Sequence, residues 1–213
     1  MSLASKRSQL SAKTSRALST VVFEDLASVR QDAGAKTLSF FRRSLPVRID
    51  QDAIAQLKQL AASRGNQNVR LCLHDSPQAP FHDMIILEHP GKYYRPHKHL
   101  TKGESYHIIE GAMGVWVFDE RGQVADACLL TPEGTVVYRV GVNMYHAVLP
   151  LTERVIYHEA KPGPFLGETD SLYPEWAPDG RDAQAVAEYT KRIRNVLESL
   201  QGLPGSASTG RNQ

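Results

Sequence analysis

Between about residues 69 and 162 the chain is written in short apolar or alternating runs with Gly, Pro and Asp between them: VRLCLH, DMIILEH, YYRPHKH, ESYHIIEG, MGVWVFDE, ADACLLT, GTVVYRV, MYHAVLPL and RVIYHEA. Runs of this length and period predict strands, and so many in succession predict an antiparallel sandwich or small barrel. DERGQV has the composition of a turn between two of them. On both sides the period becomes helical. DQDAIAQLKQLAASRG puts Ile54, Leu57 and Leu60 on one stripe, with Asp50 as cap and Gly65 just past the end. DAQAVAEYTKRIRNVLESL repeats Val186, Tyr189, Ile193, Val196 and Leu200 at steps of three and four, and Gly202 stops it. STVVFEDLASVRQDA is a third candidate helix, capped by Ser19 or Thr20, while KPGPFLGETDSLYPEWAPDG is irregular. The expected layout is an N-terminal extension over 1–45, partly helical or disordered; a main domain with its leading helix over 46–180; a C-terminal helix over 181–201; and a disordered tail over 202–213.

Composition narrows the classes. A chain of 213 residues, 41% hydrophobic, suits one domain with appendages and a real core. A net charge of +2 argues against nucleic acid or a membrane surface as partner, and no basic helix pair for reading DNA is visible. Lys6, Arg7, Lys13 and Arg16 precede the first acid, Glu24; the plain reading is a solvated tail, the sharper one an anionic partner or a targeting peptide. Cys72 and Cys128 lie in apolar runs and read as core thiols, with no disulfide framework. With no apolar run of membrane-spanning length and no apolar signal core, a cytoplasmic protein is expected.

The chemistry gathers in PGKYYRPHKHLTKGESYHIIEG, residues 90–111. Side chains alternate on a strand, so His97 and His99 point one way together, and Glu104, Tyr106, Ile108 and Glu110 share a face of the next strand. If both faces turn into a barrel, two imidazoles and a carboxylate converge. His146, between Met144 and Val148 on a later strand, is the candidate fourth ligand; its plain reading is a hydrogen-bonded core histidine. Three neutral imidazoles and one carboxylate suit iron(II), manganese, nickel or zinc rather than calcium or magnesium. Four protein ligands on an octahedral ion leave open positions, as a catalytic metal needs.

Gly91, His97-x-His99, Glu104 and Gly111 are spaced as in the first motif of the cupin superfamily, which this stretch resembles over its whole length. The second motif runs Gly, five residues, Pro-x-Gly, two residues, His, three residues, Asn. Aligned on His146, the chain has Thr135, Gly141, Asn143 and Pro150 there, with Gly134 one place early. Asn tolerates the left-handed backbone that the turn glycine would adopt, so Asn143 keeps the turn and delivers His146. Over about residues 46–180 the chain is similar to the WbuC family of cupin-fold metalloproteins, on its Leu-His segment at His74, its Lys-x-Gly-Pro-Phe turn at Lys161–Phe165 and its Trp-Ala-Pro at Trp176–Pro178. Where that family usually has an aromatic before the metal glutamate, this chain has Gly103, which opens the pocket mouth or alters substrate choice. The resemblance implies a mainly β fold, a single cupin (double-stranded β-helix, jelly-roll) barrel with flanking N- and C-terminal helices. It also implies one divalent transition metal per chain on His97, His99, Glu104 and His146, and a link to bacterial surface-polysaccharide metabolism without a defined reaction.

Tyr93, Arg95 and Tyr106 are in phase with the ligands and are the substrate-binding candidates, Arg95 for a carboxylate or phosphate. Their plain reading is an ion pair and space filling. Tyr106 and Glu110 are the candidate proton carriers. His107 is out of phase with Glu104, and His74, His82 and His158 read as structural; Trp176 reads as an anchor for the segment after the sheet. Three functions follow: a metal-dependent isomerase, lyase or hydrolase acting on a small polar substrate, sugar-linked or carboxylated; a non-haem iron dioxygenase; or a non-catalytic small-molecule-binding or regulatory barrel. A homodimer is the expected way to cover barrel edges and flanking helices.

Overall fold

A computed structural model of the chain describes residues 28–200. Its strands are β1 Val29–Gln31, β2 Leu38–Arg42, β3 Val69–Cys72, β4 Phe81–Glu88, β5 Glu104–Glu110, β6 Met113–Phe118, β7 Val124–Leu130, β8 Val137–Val140, β9 Tyr145–Pro150 and β10 Val155–Pro162. Two α-helices flank them, α1 Gln51–Ser63 and α2 Ala183–Leu200. One sheet runs β1-β2-β3-β4-β10-β5-β8 and the other β7-β6-β9. All pairings are antiparallel except β2 with β3, which α1 connects as a parallel crossover.

Alternation along the strands builds three apolar layers. Met84 and Ile86, Tyr106 and Ile108, Val115 and Val117, and Tyr157 fill the space between the sheets. The opposite side of the larger sheet, with Leu71, Ile85, Leu87 and Ile156, is covered by Ile54, Leu57 and Ala61 of α1. The outer side of the smaller sheet, with Trp116, Phe118, Ala147 and Leu149, is covered by Tyr189, Ile193 and Leu197 of α2.

α1 begins at the cap its sequence predicts, and α2 has an aspartate cap of its own. Asp50 accepts the Ala53 N–H (3.0 Å), and the Asp182 carboxylate accepts from Gln184 (2.9 Å) and Ala185 (3.1 Å). Leu197, rather than Val196 or Leu200, completes the buried stripe of α2; Leu200 is exposed at the last position. In DERGQV, Asp119 accepts from Arg121 and Gln123 around Gly122, which has a positive φ.

The amino-terminal reading is corrected. Of the helix expected over 19–33, residues 19–27 lie outside the described residues, and Val29–Gln31 is strand. The extension expected over 1–45 is, in its described part, two strands of the main sheet, because Val29, Phe40 and Phe41 are buried there. The tail over 202–213 lies outside the described residues. No helix among the described residues is long and apolar enough to cross a membrane.

Candidate metal centre

YYRPHKH, expected as a strand, is extended but joins the small sheet only at its end. Pro96 has no N–H to give a ladder. His97 then exchanges backbone hydrogen bonds with His146 of β9, N–H to carbonyl at 3.0 Å and 2.9 Å, and Lys98 does the same with Leu172. The Asn143 N–H donates to the His99 carbonyl at 2.8 Å. Asn143 has φ 60°, the left-handed turn its residue type predicts, so the β8–β9 turn is tied directly to the histidine segment.

Glu104 opens β5 opposite Val140, and His146 lies on β9 opposite Val117. One ligand atom from each of His97, His99, Glu104 and His146 lies within 4.8 Å of the others. His99, Glu104 and His146 are buried, and His97 is half-buried. Every imidazole has Nδ1 against a backbone carbonyl: His97 on Arg95 (3.2 Å), His146 on Met144 (2.9 Å) and His99 on Asp170. Nδ1 is then the protonated nitrogen, and the Nε2 atoms of His99 and His146 turn a lone pair toward Glu104 Oε1.

The donor set fits a cation. His99 Nε2 is buried without a hydrogen-bond partner and stands 3.8 Å from Glu104 Oε1. His146 Nε2 faces the same oxygen closely. A neutral imidazole cannot donate from both nitrogens, so with Nδ1–H on Met144 the Nε2 and the carboxylate oxygen meet as two lone-pair donors, which a shared cation reconciles. Burial, helped by the neighbouring His146, pushes His97 down to about 3, so it is neutral at neutral pH. Burial pushes Glu104 up, but its neighbours, the Lys161 charge first among them, outweigh it and hold the carboxyl well below its ordinary range.

Tyr106 is brought to this group: it is buried and its hydroxyl donates to Glu104 Oε1 at 2.7 Å. Burial and the Glu104 charge push its pKa well up. Arg95 lies two residues before His97, beside Tyr173. Its guanidinium stands 5.6 Å over the Tyr173 ring, donates to the Pro174 carbonyl and keeps a buried Nε without partner; Tyr173 in turn is 6.1 Å from the His97 ring.

Two expectations are corrected. Tyr93 turns away, donating to the Pro178 carbonyl (3.0 Å) and meeting Tyr189 of α2 edge-on, because no ladder enforces alternation before His97. Glu110 sits at the far end of β5, paired with Lys58 of α1 and with Arg154 (2.8 Å). A register shift between Ile156 and Tyr157 breaks the phase that links Glu104, Tyr106 and Ile108, so Glu110 leaves the interior.

Lys161 is the residue the sequence reading missed. Its ammonium donates to Glu104 Oε2 (3.1 Å) and to Glu159 (2.9 Å). Alternation from the buried Tyr157 puts Glu159 and Lys161 on the interior face of β10, a signal that was there to read. The buried Lys102–Asp170 pair, which backs His99, has no such signal. His107 is exposed and His158 pairs with Asp83, while His74 and His82 stack at 4.3 Å, all away from the ligand group as expected. Burial pushes the Cys72 thiol up to about 12, in keeping with a core residue. Trp176 anchors its segment against Phe118 and Tyr145.

A family model described as a domain of unknown function (DUF6016) matches residues 49–130, from α1 to β7. Comparison with curated proteins finds no match. Among solved structures the chain is similar to the capsular polysaccharide assembling protein CapF from Staphylococcus aureus, at 14% identity over 51% of this chain and 29% of that one, with TM-score 0.42. It is also similar to a structure described as DMSP lyases RdDddP and RnDddQII (20% identity, 52% and 54% covered, TM-score 0.39). A third is a cupin superfamily protein from Desulfitobacterium hafniense DCB-2 (18%, 46% and 78%, TM-score 0.36). The chain spans about a third of the length of the CapF structures it matches. Identities this low carry no chemistry from those proteins to this chain. In its own topology the chain, among the described residues, is mainly β, two facing sheets with a helix on each flank.

Proposed function

We propose that this chain is a WbuC-like, metal-dependent enzyme acting on a small polar substrate, sugar-linked or carboxylated, with a place in surface-polysaccharide metabolism. The observation that carries the metal reading is the convergence of one ring nitrogen from each of three imidazoles and one carboxylate oxygen, with every Nδ1 against a carbonyl. His97, His99, Glu104 and His146 would hold one iron, manganese, nickel or zinc ion, which would act as a Lewis acid toward a substrate oxygen. Of the four, His97 is the half-buried one, and substrate would enter on its side. Arg95, with its unpartnered Nε beside Tyr173, would take the anionic group of the substrate by charge-assisted hydrogen bonds. The WbuC-like reading is supported by the Lys-x-Gly-Pro turn, whose lysine reaches Glu104, and by the Trp-Ala-Pro segment seated on the small sheet.

The test is metal content after purification without a chelating step, wild type beside His97→Ala. About one transition-metal ion per chain is expected, lost in the variant. A wild type without metal even after reconstitution would refute the reading. Given a metal, Arg95→Ala should raise KM for carboxylated substrates more than it lowers kcat.

A further inference from the structure

The two oxygens of Glu104 face different groups. Oε1 looks to the centre, toward His146 Nε2 and His99 Nε2 (3.8 Å), and accepts from Tyr106. Oε2 looks the other way, to the Lys161 ammonium at 3.1 Å. The Lys161 side chain is largely buried, and Glu159 holds the ammonium from another side at 2.9 Å. An unrestrained carboxylate can present both oxygens to a cation, as bidentate carboxylates do.

We propose that Lys161 is a positioning residue that restricts Glu104 to one-oxygen ligation and so keeps a coordination position open for substrate. The inference rests on the metal reading above. A lysine ammonium has three donors and no acceptor, so it holds Oε2 by a charge-assisted hydrogen bond without offering the metal an atom of its own. Glu159 supplies the complementary charge, so the Lys161–Glu159 pair adds no net charge beside the centre: it steers the carboxylate without repelling the cation on balance. Released from Lys161, Glu104 can turn Oε2 inward and occupy a position that water or substrate would otherwise take.

The experiment loads wild type and variants with Mn(II) and measures the water-proton relaxation enhancement per bound ion, which reads the exchangeable waters on the metal. Lys161→Met is expected to lose about half of the wild-type enhancement, one of two open positions being filled. Lys161→Leu, which has neither charge nor donor, should show the same loss and serves if the methionine variant does not fold. Lys161→Arg, which keeps charge and donors, should retain the wild-type value. Wild-type enhancement in folded, Mn(II)-loaded Lys161→Met or Lys161→Leu would overturn the role of Lys161 while leaving the metal site standing. A wild type that takes up none of Mn(II), Fe(II), Ni(II) and Zn(II) would overturn the metal reading, and this inference with it.

Discussion

Each candidate ligand owes its orientation to a group that does not touch the centre. His99 is turned by the Asp170 carbonyl, and Asp170 is held in place by Lys102 and by the Leu166 N–H (3.1 Å). Glu104 is held by Tyr106 on one oxygen and Lys161 on the other. Such supporting contacts matter because a metal site gains affinity from ligands already pointing inward. Tyr106→Phe removes one hydroxyl from a buried position and little volume. It should weaken metal binding by about tenfold, the lower range for loss of an outer partner. A competition titration with a chromophoric chelator checks this, and unchanged affinity would show that Tyr106 only fills space.

At the level of elements, α1 and its cap make a bounded test. The helix has one buried stripe and seats Leu57, 1% exposed, in the cluster on the larger sheet. Leu57→Ala should cost about 2–5 kcal/mol, the transfer of a buried leucine plus its cavity. Asp50→Ala leaves the Ala53 N–H without its side-chain acceptor and should cost about 1 kcal/mol. Urea unfolding of the two variants should rank them in that order. A cap that costs as much as the core leucine would mean that Asp50 does more than cap. The short elements matter as much to the site: the β8–β9 turn, through Asn143, fixes the segment carrying His97 and His99 to the strand carrying His146.

For the whole molecule, the buried histidines set the response to acid. His74 is pushed down to about 4 by burial and by the neighbouring His82, and His82 is also pushed down, chiefly by burial. In the unfolded chain each would titrate near its ordinary value, about 6.5. Between about pH 6.5 and 4 the unfolded state therefore binds protons that the folded state refuses, and unfolding free energy falls as pH falls. The contribution is fully present above pH 6.5 and is lost across that window. The urea midpoint of metal-free protein should drop between pH 7 and 4, and His74→Asn should flatten the slope. A slope identical in wild type and variant would remove His74 from the account.

Local pattern determined much of this protein by itself. Alternation marked most of the strands, the 3.6-residue period marked both described helices and Asp50 the start of the first, and the spacing of His97, His99 and Glu104 marked the group that converges. Even Asn143 was legible, because a left-handed turn depends on one residue's own backbone. These features depend on neighbours in sequence, so sequence carries them. Tertiary structure decided the rest. Lys161 reaches Glu104 across 57 residues of chain, and the Asp170 carbonyl reaches His99 across 71; which strands lie side by side, rather than any local period, creates those contacts. Glu110 left the interior because one bulge shifted the phase of β5 against β10, and Tyr93 turned to α2 because no ladder held its segment in alternation. Val29–Gln31 became a strand although its sequence read as helix, since burying Val29 under α1 outweighs a weak local preference.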